Sequence, residues 1–430
     1  MQLKLTVTSS DKGMEDIIAG NRPDLRPFQH LYRQIHQNPE LSFCEKETSA
    51  IAADHLRQLN FEVHTHIGGY GVAGVFKNGD GPTVLLRADM DALPMQEKTG
   101  LPYASTKTAK NKDGVEMPVM HACGHDTHVV SLMASAALLH SAREHWSGTL
   151  ICIFQPAEEL VSGARAMLDD GLYDKIPKPD VVLAQHLMPM RAGTVSIRSG
   201  RLLTAADAFN VRIFGKGGHG SAPDVCIDPI IIGASIVMKL QTIVSREVTP
   251  GELAVVTCGS IQAGQTANII PDSLDLKLGI RTYDESIRER VINSVKRIIR
   301  SECEAAGCEQ EPQIDHVIST PATINDDATV QALLNTFGSY FKERLVDSDP
   351  ANASEDFSLL ARAVGAPYVM WTYGGVDHKT WDDAVEKGTV NKLPSNHSPF
   401  FAPVIEPTLQ TAMDAMSTGA LTFLKRTHHA

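Results

Sequence analysis

Apolar residues recur on one helical face through residues 24–60, where Leu31, Ile35, Ile51, Leu56 and Leu59 align and Asn38-Pro39 breaks the run. That spacing predicts helix with an interruption. Shorter apolar runs bounded by turn residues follow: VAGVF (72–76), TVLLRADMDALP (83–94), TLICIFQPAEE (149–159) and VVLAQHL (181–187). Their length reads as buried strand, and helical patterns over 125–142 and 162–169 lie between them. Buried strands alternating with helices predict an α/β layered domain with a largely parallel sheet. Asp89, Glu158, Glu159 and His186 fall just beyond the C-terminal ends of these runs, where open α/β sheets place their ligands.

The pattern changes near residue 204. DAFNVRIFG (207–215), ELAVVTCGSIQAG (252–264) and SLDLKLGIRTY (273–283) alternate apolar and polar, with an apolar-rich helix over 227–245. A charged amphipathic helix (284–305) and a short strand near 311–318 complete the order β-α-β-β-α-β. That order is the α+β ferredoxin-like unit, a four-stranded antiparallel sheet with two helices on one face. After Pro321 helix and strand return (APYVMWTYGG, 366–375), and a long helix around 406–425 ends the pattern. The expected organisation is a discontinuous catalytic domain (1–203 and 320–430) with an inserted domain (204–319), hinged where the chain crosses between them.

Length and composition narrow the classes. At 430 residues the chain exceeds one simple core, and 43% apolar with 21% charged residues is the balance of a folded protein. The net charge of −12, with Lys and Arg scattered, argues against nucleic acid or an anionic membrane as partner. No apolar run approaches the ~20 residues of a membrane span. The start, MQLKLTVTSSDKGMEDI, has no basic segment followed by an apolar one, so no secretory leader is expected. Seven scattered cysteines (Cys44, Cys123, Cys152, Cys226, Cys258, Cys303 and Cys308) predict a reduced, cytoplasmic protein without structural disulfides. Cys152 in LICIF and Cys258 in AVVTCGSI read as buried free thiols.

The chemistry concentrates in Met120-His121-Ala122-Cys123-Gly124-His125-Asp126 and in Gln155-Pro156-Ala157-Glu158-Glu159. A thiol, an imidazole and carboxylates are the donors a borderline-soft divalent metal prefers. Adjacent carboxylates suggest divided labour, one holding metal while its neighbour moves protons, which is metal-assisted hydrolysis. Taken singly, each residue has a plainer reading. Cys123 could be a packing thiol, with Asp126 capping the following helix. Glu158 and Glu159 could be a solvated strand end, His186 a satisfied core histidine, and His397 in SNHSP a loop residue. Together they supply the five or six N, O and S donors that two metals require.

RADMDALP (87–94), HACGHDTH (121–128), QPAEE (155–159), GGHGSAPD (217–224), TANIIPD (266–272), SEDF (354–357) and NHSP (396–399) resemble the M20 metallopeptidase superfamily. More narrowly they resemble its amidohydrolase branch of hippurate hydrolases, bacterial N-acyl-amino-acid amidohydrolases and plant auxin-conjugate hydrolases. The resemblance implies two divalent ions, zinc or manganese with cobalt or nickel as alternatives. It makes Cys123, His125, Glu159, His186 and His397 their ligands and Glu158 the general base. Asp89 would orient a ligand imidazole, and His36 in HQNPELSF would be structural. The inserted domain becomes a lid that also dimerises. On it His219 is the oxyanion donor, while Asn268 and Arg281, placed on the two central strands, hold a substrate carboxylate. Arg87 and His186 stand where the wider superfamily has a ligand His and a ligand Asp, and Leu187 where many relatives have Asn.

The function implied is hydrolysis of a small-molecule N-acyl amino acid to a carboxylate and a free amino acid. A dipeptidase or carboxypeptidase of the same superfamily is the alternative within enzymes. A catalytically silent binding protein would have lost Glu158 or a ligand, and both are present.

Overall fold

The computed structural model describes residues 12–110 and 114–426, so the first eleven residues of the stretch read for a leader lie outside it. Two compact units emerge: Met1–Gly200 with Ile324–Asp349 and Asp356–Ala430, and Arg201–Thr323 with Pro350–Glu355. The crossings fall a few residues outside 204–319, and the short return segment Pro350–Glu355 carries no periodicity that would announce it.

The first unit is built on a mixed sheet. Its strands run in the order Glu62–Ile67, Gly71–Asn78, Trp146–Gln155, Thr83–Asp89, Val181–Arg191, Tyr368–Val376, Val195–Ser196 and Leu345–Val346. The four from Trp146–Gln155 to Tyr368–Val376 are parallel, and antiparallel pairs flank them. Val84, Leu85 and Leu86 are all fully buried, as a sheet covered on both faces requires. Helices His125–Ser141 and Thr408–Phe423 are buried on nearly every side, which suits their weakly amphipathic sequences. His186 sits inside its strand rather than beyond it. The ladder pairing Thr372 with His186 continues to Arg191, past the end of the apolar run.

Helix His125–Ser141 starts on Gly124 at φ 85, so Asp126 lies within the first turn and does not cap it. Its carboxylate instead faces Nδ1 of the buried His36 at 2.7 Å, while Nε2 faces Glu97 at 3.1 Å. Burial opposes the His36 cation, but the two carboxylates outweigh it and raise the imidazole to about 9. Because the folded value exceeds the unfolded one, this stabilisation is complete below the ordinary histidine range. It is lost as pH rises through about 9. His36→Gln should therefore remove much of the fall in melting temperature between neutral pH and pH 9 that wild type shows in a thermal-melt series. Parallel melting curves for the two proteins across that window would contradict the ion-pair role.

The second unit is the antiparallel sheet Ala254–Gln262, Ser273–Thr282, Ala205–Phe214 and Gln313–Thr320, in that order. Helices Pro229–Thr242 and Glu285–Ala305 cover one face, Ile232, Ile236, Val291 and Ile299 packing with Phe209, Val211, Leu276 and Leu278. Asp228 and Asp284 cap them through backbone N–H groups. Asn268 does not lie on a central strand; it immediately precedes the two-residue strand Ile269–Ile270, which pairs with Gly218–His219. Cys258 is only partly buried, whereas Cys152 is fully so, and all seven cysteines are free. By length and mean composition the helical stretch Pro229–Glu247 is apolar enough to cross a membrane, with a third of it buried, although Lys239 and Gln241 interrupt its apolar run. Its high apolar content has a local cause: Ile232, Ile236, Leu240 and Ile243 serve the core, while Ile231 and Met238 are exposed.

Candidate metal centre

Four segments of the first unit deliver the donors. Gly124 lets the chain turn tightly after Cys123; at φ 85, a side chain there would also collide with Leu187 at 2.6 Å. Cys123 is buried, and its Sγ lies 3.6 Å from His186 Nε2. His186 Nδ1 donates to the Leu187 carbonyl at 2.8 Å, which leaves Nε2 as its free donor atom. His125 is fixed the same way. Its Nδ1 donates to the Asp91 carbonyl at 2.9 Å, and Nε2 faces Asp89 (3.6 Å), Glu158 (3.7 Å) and Glu159 (3.9 Å). His397, exposed and at φ 67, brings Nε2 to 3.3 Å from Glu159.

The carboxylate pair stands on a constrained turn. Ala157 and Val161, on either side of it, have φ values of 49° and 52°, conformations unfavourable for non-glycine residues. Gly163 closes the turn so tightly that a Cβ there would lie 1.6 Å from the Pro156 carbonyl. One side chain anchors the pair: the Asp91 carboxylate accepts the N–H of Glu158 and of Glu159, each at 3.1 Å, and the Ser42 hydroxyl at 2.6 Å. The buried Glu45 carboxyl accepts the Ala157 N–H at 2.8 Å.

Asp89 occupies a different place from the one expected. The imidazole it hydrogen-bonds is His128, at 2.5 Å, while Arg87 donates to its other oxygen at 2.7 Å. The Leu187 N–H donates to His128 Nε2 at 2.9 Å, so the ring's one proton is on Nδ1 and goes to Asp89. With both nitrogens engaged, His128 is a support and not a donor, although it lies in a cluster with Asp89, His125 and His186. Arg87 continues inward through Gln155, whose amide donates to Asp356 at 2.6 Å. Asn396 ties the segments together by donating to the Cys123 carbonyl at 3.1 Å and the Leu187 carbonyl at 2.9 Å.

These distances suit a cation. His125 Nε2 and Glu159 Oε1 are buried atoms with no hydrogen-bond partner, and Cys123, His125 and Glu159 offer ligand atoms within 4.8 Å of one another. Burial pushes the Cys123 thiol up to about 12 despite His125, so a positive charge at Sγ is what would free a thiolate. Burial and the neighbouring His128 hold His186 well below the ordinary imidazole range, in the neutral form that binds metal. For His125, burial disfavours the cation but Asp89 and Cys123 outweigh it, and the ring rises well above that range.

The remaining residues expected at the site belong to the second unit. His219 is exposed, and Ser221 hydrogen-bonds its Nδ1. The Asn268 carbonyl accepts the Gly220 N–H at 2.8 Å. Arg281 lies on Ser273–Thr282, half-buried; burial lowers its guanidinium, only partly offset by Asp207, and it donates to the Ser354 hydroxyl.

The sequence pattern of peptidase family M20/M25/M40 matches residues 85–394 of this chain. The hippurate hydrolase of Campylobacter jejuni is 37% identical over 347 residues, 80% of this chain and 87% of the relative. The N-acetyl-L-cysteine deacetylase of Bacillus subtilis is 36% identical over 350 residues, 81% of this chain and 80% of its own length. Among solved structures, Bacillus subtilis YXEP, described as a dinuclear metal binding peptidase from the M20 family, superposes with a TM-score of 0.71 at 27% identity. That alignment covers 96% of this chain and 99% of YXEP.

Proposed function

This chain belongs to peptidase family M20/M25/M40 as a metal-dependent hydrolase of its amidohydrolase and peptidase members, and from that premise we propose that it cleaves N-acyl amino acids. The observation that carries the reading is the pair of unpartnered buried donors, His125 Nε2 and Glu159 Oε1, facing Cys123 beside a second carboxylate, Glu158. Cys123, His125, Glu159, His186 and His397 hold two divalent ions in this reading, a thiolate and imidazole set that favours zinc, with manganese, cobalt or nickel as alternatives. When bound, such ions acidify a water and polarise the amide carbonyl.

The chain's own groups do the rest. Glu158 accepts the proton of the attacking water and returns it to the departing amine. The carbon–nitrogen bond breaks to a carboxylate and a free amino acid. His219 donates a hydrogen bond to the oxyanion as it forms. Arg281, which pairs with no carboxylate among the described residues, receives the α-carboxylate of the substrate, with Asn268 beside it in the same role. Arg281→Ala should raise KM about ten- to a hundred-fold for substrates with a free α-carboxylate, the scale of one charged hydrogen-bonded contact. Their α-amides should be barely affected; equal losses on both would remove Arg281 from substrate binding.

The exposed Ile231 and Met238 of helix Pro229–Thr242 lie on the same unit as the exposed Val255 and Ile261 of the edge strand Ala254–Gln262. Exposed apolar side chains on a helix and on the open edge strand of the same unit favour self-association along that edge, and we assign a homodimer to it. Met238→Glu with Val255→Lys should halve the mass seen by light scattering. A wild-type protein already monomeric at micromolar concentration would dispose of the dimer.

The experiment for the whole reading is elemental analysis followed by hydrolysis of N-acetyl and N-benzoyl amino acids against dipeptides. Two bound equivalents and faster cleavage of the acyl amino acids are expected. A protein that retains no divalent metal, or that prefers dipeptides with a free amine, would overturn it.

A further inference from the structure

His219 stands on a turn with little freedom. Gly218 and His219 pair with Ile270 and Ile269, the Gly220 N–H donates to the Asn268 carbonyl at 2.8 Å, and the Ala222 N–H donates to the His219 carbonyl at 2.8 Å. The glycines are pressed from both sides: a Cβ on Gly218 would lie 2.5 Å from Cys226 Sγ, and one on Gly217 would lie 2.9 Å from the Ile270 carbonyl. The backbone on which the imidazole is mounted is therefore fixed by its neighbours within the unit.

The ring itself is addressed on one side only. The Ser221 backbone N–H lies 3.1 Å from His219 Nδ1, and the Ser221 hydroxyl lies 2.7 Å from the same atom. A backbone N–H can only donate, so Nδ1 must present its lone pair. The neutral ring then carries its single proton on Nε2. The hydroxyl can serve as donor or acceptor, and beside an Nδ1 that is already accepting it becomes the second donor.

We propose that Ser221 is a positioning residue that holds His219 as the Nε2–H tautomer, with Nε2–H turned outward as a neutral hydrogen-bond donor. The catalytic consequence rests on the reading of His219 as oxyanion donor; the tautomer does not. In the opposite tautomer Nε2 would present a lone pair to a developing negative charge, which repels it. A donor fixed before the substrate arrives needs no rearrangement as charge develops. Among side chains that could stand at position 221, those with a hydroxyl reinforce the backbone N–H by donating to Nδ1 without adding charge, whereas an ionised carboxylate could only accept, and its charge would outweigh that N–H and draw a proton onto Nδ1.

The tautomer is read directly from the imidazole 15N shifts of the zinc-loaded, full-length protein labelled at histidine, with the His219 signals assigned by their loss in His219→Gln. The expected result is an unprotonated, hydrogen-bonded Nδ1 and a protonated Nε2; a proton on Nδ1 overturns the proposal. Ser221→Ala should lower kcat about three- to ten-fold, the scale of one net hydrogen bond. KM and zinc content should be unchanged, and Ser221→Thr should restore kcat. Ser221→Asp should move the proton to Nδ1 in the same spectra. If Ser221→Ala keeps full kcat and Ser221→Asp leaves the tautomer in place, Ser221 does not position the ring. If the tautomer moves as expected in Ser221→Asp while kcat is untouched, the tautomer assignment stands and the donor role of His219 falls.

Discussion

Glu158→Gln is expected to lower kcat by about 10²–10⁴-fold, the range for losing a general base, while divalent metal content stays at the wild-type level. The amide has the shape of the carboxylate but cannot accept the water's proton. The Asp91 grip on the turn is kept, because it holds residues 158 and 159 through their backbone N–H groups and not through the side chain. Glu159 and His125 thus keep their places in the variant. Steady-state kinetics paired with elemental analysis checks both halves. A variant that turns over within a few-fold of wild type would take the proton-transfer role away from Glu158. One that loses its metal would make Glu158 a ligand.

His219→Ala should cost about 10²–10³-fold in kcat, the scale of one oxyanion donor, with KM and metal content little changed. The residue sits in the second unit, in a turn set by backbone pairing with Ile269 and Ile270, so removing the ring leaves the fold intact. Circular dichroism and metal content will verify that. Full kcat in this variant would reduce the second unit to a structural or self-associating module.

Much of this was open to the sequence, for physical reasons that differ by element. The strands Trp146–Gln155 and Thr83–Asp89 are buried on both faces and leave unbroken apolar runs; the second unit's strands are covered on one face and alternate. Cys123, His125 and Glu159 could be picked out because their residue types and spacing suit metal chemistry, and the structure brings their donor atoms together. The return segment Pro350–Glu355 could not, since six residues have no period to show. Asp126 misled because an acidic residue at a helix start looks like a cap, whereas here the helix begins at His125 and the carboxylate serves His36.

The supports of the site were the hardest to see. His128 and Asp91 are ordinary in sequence, and their roles depend on which backbone N–H groups fold against them, Leu187 for one and the carboxylate pair for the other. Two clues existed. His128 follows His125 by three positions on a helix, which puts both on one face, and Asp91 follows Asp89 by two at the exit of a buried strand. Neither clue says what the partner is, because that partner is main chain and carries no residue-type signal.

The anchoring of the carboxylate pair also bears on how such a protein can change over evolutionary time. Asp91 grips the pair through main-chain N–H groups, so its hold does not depend on which side chain stands at 158. With Glu158 as the proposed base, a single codon change there is expected to leave a folded protein that still holds its cations and binds its substrate without cleaving it. On that proposed role, descent from catalyst to receptor is one step long for this architecture, and the return is equally short. A change at Asp91 releases both residues of the pair at once and opens no such route.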